Sequence, residues 1–369
     1  MRVWRYLTGD RFLLLLLIIG AALCLWVPFK PQQWPAAIDW RTIITLCGLL
    51  MLTKGVELSG YFDVLGRRLA RQFSSERALA LFLVCAAALL STFLTNDVAL
   101  FIVIPLTITL KKWCAIPVNR LIIFQALAVN AGSLLTPVGN PQNILLWGRS
   151  GLSFGAFIGQ MAPLALMIFI SLIIVCRFAF PKRALEFNNL SPSNQWQPRL
   201  LALCVVLYLV FLAALELKYA GAGLLIVLGA FAIYARAVLR QLDWRLLLIF
   251  MVMFIDVHLV TQFPALTEWL TATRALSAEG RLLLGAGLSQ IISNVPATIL
   301  LLNYQNADAL LAWAVNIGGF GVMTGSLANL IALRMAGDRR IWLQFHLWSL
   351  PMLLWSLTAG YLLYFLIAS

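Results

Sequence analysis

Thr95-Asn96-Asp97 interrupts an apolar stretch that runs from Ala78 to Leu110. An unsatisfied polar group in hydrocarbon costs several kcal/mol. A carboxylate at that depth therefore faces water or a partner, or it does chemistry. Buried in protein, it can exchange a proton or hold a cation. A surface loop between two spans is the bland alternative. A second polar group, Ser293-Asn294-Val295-Pro296, sits at the centre of Arg281–Asn303. An asparagine side chain has two donors and an acceptor, and hydroxyls add neutral oxygens. Asn96 and Asn294 are thus candidates to line a cavity and to hold Na⁺ nearby. Asp97 has no acidic twin in the second group, so it is the candidate for ion coupling.

Two more segments carry polar and helix-breaking residues inside apolar runs. Thr136-Pro137-Val138-Gly139-Asn140-Pro141-Gln142-Asn143 splits Arg120–Trp147. Gly318-Gly319-Phe320-Gly321 and then Gly325–Asn329 split Leu310–Leu333. Proline and glycine stop helices. A helix broken within a membrane exposes N–H groups that suit an anion and carbonyls that suit Na⁺. The candidate binding residues here are Thr136, Gly139, Asn140 and Asn143, then Thr324, Gly325, Ser326 and Asn329. They join Thr95, Asn96, Asp97, Ser293 and Asn294. Two blander roles compete: an ordinary loop, or asparagine and glycine that only stabilise kinks and helix contacts.

The elements that must position these residues follow from composition. Of 369 residues, 62% are hydrophobic and only 11% are charged. Soluble domains are about half apolar and about a quarter charged. The apolar residues come in long runs such as Phe12–Val27, not in alternation, which argues against a β-barrel. The expectation is an all-α polytopic membrane protein. The net charge of +13 reads as basic cytoplasmic loops, not as a nucleic-acid surface. The six cysteines are scattered and fit apolar packing, and two distant histidines give no metal site. No cofactor is implied.

Charge then sets topology. Arg2, Arg5 and Arg11 place the N-terminus in the cytoplasm, and the loop holding Arg67, Arg68, Arg71 and Arg77 lies on the same side. Ala78–Leu110 has basic flanks at both ends, so it crosses twice or dips in and returns. Two helices of about 16 residues are short for two full crossings. A re-entrant hairpin fits better, although charge alone also permits two short crossings. The full reading has about nine crossings plus two hairpins, most of the 27 Lys and Arg inside, and a periplasmic C-terminus.

The halves repeat. Asp39-Trp40-Arg41 returns as Asp243-Trp244-Arg245, at an offset of 204. Asn96 matches Asn294 at 198. Val129-Asn130 matches Val315-Asn316 at 186, and the same offset pairs Gly139 with Gly325 and Asn143 with Asn329. By charge, the paired segments enter from opposite sides, so the two repeats have inverted topology. Each holds a re-entrant hairpin and a discontinuous transmembrane helix, the plan of a secondary transporter. The expected divisions are 1–38, an N-terminal span and outer loop; 39–183, the first repeat; 184–242, a cytoplasmic linker and connecting spans; and 243–369, the second repeat.

Thr95-Asn96-Asp97-Val98-Ala99, Gly139-Asn140-Pro141-Gln142-Asn143 and Gly325-Ser326-Leu327-Ala328-Asn329 resemble the arsenite permease and NhaD-type sodium/proton antiporter group. That group belongs to the ion transporter superfamily, with the citrate and dicarboxylate carriers. The resemblance spans about residues 10–367. It implies paired hairpins and broken helices, and often a homodimer. Dicarboxylate members carry Ser-Asn-Thr at the hairpin tips. Here Asp97 and Val295 stand in place of the threonines, closer to the arsenite and antiporter branch.

The function expected is an inner-membrane carrier of a small ion or anion, coupled to H⁺ or Na⁺, with Na⁺/H⁺ antiport as a variant. A channel and an intramembrane enzyme are the rivals. The chain has no HExxH or Walker A motif. Among other intramembrane charges, Lys54 and Glu57 are expected to pair at a surface, and Asp256 and His258 to sit at the membrane interface. A bland role is expected for His346.

Overall fold

The computed structural model describes residues 10–27, 30–186, 196–217 and 219–368. Arg2, Arg5 and most of the polar linker before Pro198 fall outside them. The described chain is helical, with one isolated bridge between Ser75 and Ala184. The helices that matter here are α1 (Arg11–Leu23), α2 (Trp40–Leu58), α3 (Tyr61–Gln72), α4 (Glu76–Phe93), α5 (Asn96–Trp113), α6 (Val118–Ser133), α7 (Pro141–Ser150) and α8 (Phe154–Ala179). They continue with α9 (Pro198–Glu216), α10 (Ala220–Tyr234), α11 (Trp244–Thr261), α12 (Ala278–Ile292), α13 (Asn294–Leu301), α14 (Ala309–Ile317), α15 (Leu327–Ala336) and α16 (Ile341–Ala368).

Among the described residues, five helices are long and apolar enough for an unbroken crossing, or six if α2 joins the bent segment Pro31–Ala37 before it. The chain is an all-α polytopic membrane protein. Several other apolar helices are shorter because breaks cut them: α6 stops at Ser133 and α14 at Ile317.

The repeated Asp-Trp-Arg motif is a helix start. Asp39 caps α2 by accepting from the Arg41 and Thr42 N–H groups, and Asp243 caps α11 by accepting from Leu246 N–H. Each indole donates to the carbonyl five residues upstream, Trp40 to Pro35 at 2.8 Å and Trp244 to Leu239 at 3.3 Å. A carboxylate cap satisfies amides that a helix start leaves bare.

The chain forms two compact units, each drawn from both halves of the sequence. The first holds Met1–Tyr61 and Ser193–Thr271, with α1, α2, α9, α10 and α11. Phe211 and Phe231 are fully buried at its centre, while Leu209, Leu225 and Ile233 are exposed on its apolar outside. Lys54 and Glu57 pair at 3.1 Å on α2. Asp256 is buried within the unit, because α1 packs against α11 and brings Gly20 onto its carboxylate.

The second unit holds Phe62–Pro192 and Ala272–Ser369, with α3 to α8 and α12 to α16. Its axis is α6, buried from Leu121 to Ser133. A helix hydrophobic on every side is a core helix, and the few polar groups on α6 therefore need partners. Gln125 has one in Thr107, at 2.8 Å. One stretch departs from the sequence reading: Tyr61–Gln72, taken as part of a basic loop, is the amphipathic α3. Phe62 and Leu69 face inward, Asp63 pairs with Lys112 at 3.1 Å, and Arg67 lies over the Trp113 ring. The arginines hid an apolar stripe at helical spacing.

Candidate binding site at the helix breaks

All the candidate residues lie in the second unit. At the first polar group, α4 ends at Phe93 and α5 begins at Asn96. Thr95 is the N-cap, its hydroxyl accepting from Val98 N–H at 3.4 Å. The Asn96 amide oxygen accepts from Asp97 N–H at 2.9 Å, and the Asn96 N–H donates to the Gly139 carbonyl at 2.9 Å. That bond ties this tip to the first broken helix. The Asp97 carboxyl is buried, and its Oδ1 has no hydrogen-bond partner.

The first break is shorter than the sequence suggests. The helix stops at Ser133 and restarts at Pro141, so Pro141, Gln142 and Asn143 belong to α7. The reason is local: proline suits a first helical position, and Asn140 is an N-cap that accepts from Asn143 N–H at 2.8 Å. Asn143 donates to the carbonyls left bare by the break, Ser133, Leu134 and Thr136. Thr136 donates to the Thr92 carbonyl on α4 at 2.7 Å.

The second break runs from Gly318 to Ser326, where Ser326 caps α15 by accepting from Ala328 N–H. Asn329 donates to the Gly319 carbonyl at 2.9 Å. Thr324 donates to the Gln290 carbonyl on α12 at 2.6 Å. Gly139 and Gly325 have the same duty: a Cβ on either would collide with the carbonyl that ends the preceding helix piece, Ser133 or Gly318.

The two breaks are stitched together by asparagines in swapped pairs. Asn130 on α6 donates to the Asn329 amide oxygen at 2.8 Å and to the Gly319 carbonyl at 3.1 Å, and accepts from Ser326 at 3.1 Å. Asn316 on α14 donates to the Asn143 amide oxygen at 2.7 Å and accepts from Asn140 at 3.0 Å. The bonds Asn130 to Asn329 and Ser326 to Asn130 therefore have counterparts in Asn316 to Asn143 and Asn140 to Asn316. All six side chains are buried. Removing one partner would strand the other, at about 1–3 kcal/mol.

At the second tip, Ser293 alone separates α12 from α13, with φ 71°. Its hydroxyl is buried and unpartnered. Asn294 opens α13, with its amide beside Gly319.

The structure thus joins Asn140, Asn143, Ser326 and Asn329 in one network, links Thr95-Asn96 to it through Gly139, and holds Thr136 and Thr324 against their hairpins. It spends these polar atoms on protein contacts. Among the described residues at the site, the fully buried side-chain atoms without a partner are Asp97 Oδ1, Ser293 Oγ and Gln142 Oε1. Sequence reasoning did not put Asn130, Asn316, Gln142 or Gln290 in the site. The signal for the first two was present, since Asn130 and Asn316 recur at the offset that pairs Asn143 with Asn329. His346 accepts from the Met323 N–H at 3.3 Å, a supporting role at the edge of the second break.

Four helix N-termini, those of α5, α7, α13 and α15, open at these breaks, each with partial positive charge. Such an arrangement can hold an anion, and a carboxylate beside bare carbonyls can hold a cation or proton.

The model of the citrate transporter family matches residues 10–315. Over 359 residues the chain is 64% identical to the inner membrane protein YbiR of Escherichia coli, covering 97% of this chain and 96% of that one. An uncharacterised transporter of Methanocaldococcus jannaschii is 30% identical, over 90% of this chain and 92% of its own. A Dictyostelium discoideum protein bearing the transporter name arsB is 28% identical over 141 residues, 38% of this chain and 25% of its own.

Proposed function

The chain belongs to the citrate transporter family, and from that premise we propose that it is a secondary active permease of an inner membrane, moving a small ion or anion by alternating access coupled to H⁺ or Na⁺. The swapped asparagine bonds carry this reading. Bonds that recur between halves at matching positions are what a two-fold relation requires: residue i meets j, and j meets i. Two inverted repeats around one site are the architecture that can open to either face in turn. The repeats proposed are 39–183 and 243–369, joined through 184–242, with the N-terminus cytoplasmic and the C-terminus periplasmic.

In this reading, substrate binds where the four helix N-termini open. Asn96 and Asn294 hold the tips and line the cavity, and Na⁺ sits near them when it is the coupling ion. Thr95, Thr136, Ser293, Thr324 and Ser326 add neutral oxygens as the breaks rearrange. Asp97 Oδ1, unpartnered and buried, takes the proton or cation. That same observation favours a second reading, Na⁺/H⁺ antiport, in which Asp97 exchanges one cation for the other.

Counterflow in proteoliposomes tests the proposal. Labelled citrate, arsenite and phosphate, and labelled Na⁺, are each offered against a load of the unlabelled ion. A carrier gives saturable, transient accumulation of one of them. Linear flux that never saturates would make the protein a channel and overturn alternating access.

A further inference from the structure

Away from the helix breaks, two adjoining cavities of about 590 and 630 Å³ share Lys111, Ile116, Pro117 and Arg120 as walls. They lie in the second unit where the C-terminal end of α5 meets the start of α6. We propose that this corner binds the phosphodiester headgroup of an anionic phospholipid, with the acyl chains lying along α16. The proposal is independent of the transport reading above.

Three features of different kinds converge there. The first is charge. Lys111, Arg120 and Arg183 line the cavities, against the acids Glu76 and Asp338. Asp338 is already engaged: hydrogen bonds from the Asn119 side chain at 2.7 Å and from the Arg340 N–H at 2.9 Å hold its carboxyl below the usual carboxylate range. Glu76 lines the other cavity, where the charges of Arg120 and Arg183 act on it, so three cations face one acid there and the anion belongs on that side. The second is orientation. Arg120 Nη1 donates to the Ala179 carbonyl at 2.7 Å, and the guanidinium lies over the Phe180 ring. A guanidinium carries five donors in a fixed fork, so it can be anchored by one and still present others to a phosphate. The start of α6 lacks a side-chain cap, and its positive end opens on the same space at Val118.

The third feature selects a lipid over a free anion. One cavity is walled by Leu347 and Trp348 of α16, and Leu343 and Leu347 are largely exposed, at 73% and 67%. A basic pocket that continues into an apolar, membrane-facing helix fits a headgroup with its chains attached. A tryptophan at that boundary suits the headgroup level.

The test uses the full chain purified in detergent, with phosphatidylglycerol, phosphatidylcholine and glycerol 3-phosphate as probes. Native mass spectrometry should show phosphatidylglycerol retained in preference to phosphatidylcholine. Lys111→Gln with Arg183→Gln should weaken that retention by about fivefold for each cation removed. A second measurement does not depend on those variants folding. Phosphatidylglycerol with brominated chains should quench tryptophan fluorescence, and Trp348→Phe, which keeps every charge, should remove the pocket's share of that quenching. Equal retention of phosphatidylcholine would overturn the proposal. So would displacement of the lipid by glycerol 3-phosphate at similar concentration, unchanged retention in the double variant, or quenching unaffected by Trp348→Phe.

Discussion

The two hairpin tips occupy matching places and are built differently. The first turns over Leu94 and Thr95, both extended, and Thr95 caps the helix that follows. The second turns on Ser293 alone, at φ 71° and ψ 153°, a region that disfavours any residue with a side chain. The first tip is relaxed and carries a buried carboxylate with an open oxygen. The second is strained, carries no acid and has an open hydroxyl. The broken helices beside them, by contrast, are near copies in their hydrogen bonds. Matching hydrogen bonds recur at the two breaks, whereas the two tips differ in backbone and in the groups they carry.

The largest break of this comparison is at the acid. Asp97→Asn should reduce proton- or sodium-driven uptake in proteoliposomes to the level of empty vesicles while leaving membrane insertion and the melting temperature near those of the parent. Full driven uptake by that variant would remove the functional difference between the tips.

A smaller effect tests the framework. Asn130→Ala with Asn329→Ala, and Asn143→Ala with Asn316→Ala, form two double-mutant cycles measured by unfolding in detergent. Each pair should show a coupling of about 0.6–1.7 kcal/mol, and the two values should agree within about 0.5 kcal/mol. Coupling in one pair and none in the other would mean that the matching bonds do not do matching work.

The smallest effects should have opposite signs at the tips. Ser293→Gly relieves the positive φ and should raise stability by about 1 kcal/mol. Thr95→Ala removes a cap and should lower it by about 1 kcal/mol. Thermal unfolding monitored by circular dichroism reads both, and a destabilising Ser293→Gly would show that its hydroxyl holds something the glycine cannot.

What was legible in the sequence follows from where the physics is local. Long apolar runs mark spans, and proline and glycine mark breaks, each within a short window. The positions of both breaks were therefore readable, and Asn96 and Asp97 stood out because a bilayer penalises them. Two boundaries were misplaced for local reasons that needed closer reading. Pro141 was taken as a helix breaker when it is a helix starter, and α3 was taken as a loop because its arginines outweighed Phe62 and Leu69. Non-local pairing was the part beyond reach. Nothing near Asn130 says that its amide meets Asn329, and nothing near Asp256 says that Gly20 will cover it. The repeat offset came closest, by pairing Asn130 with Asn316, but it gave correspondence and not contact.

Those swapped bonds also set a schedule for the growing chain. The three side-chain bonds described for Asn130 go to Gly319, Ser326 and Asn329, the last of them 199 residues downstream. At about 5–20 residues per second, the ribosome delivers that partner about 10–40 s after Asn130 itself. Through that interval the first broken helix waits in the membrane or translocon with an amide that has no native partner. Only the arrival of the second half closes it, so α6, made in the first half of synthesis, is completed only once α15 has been made.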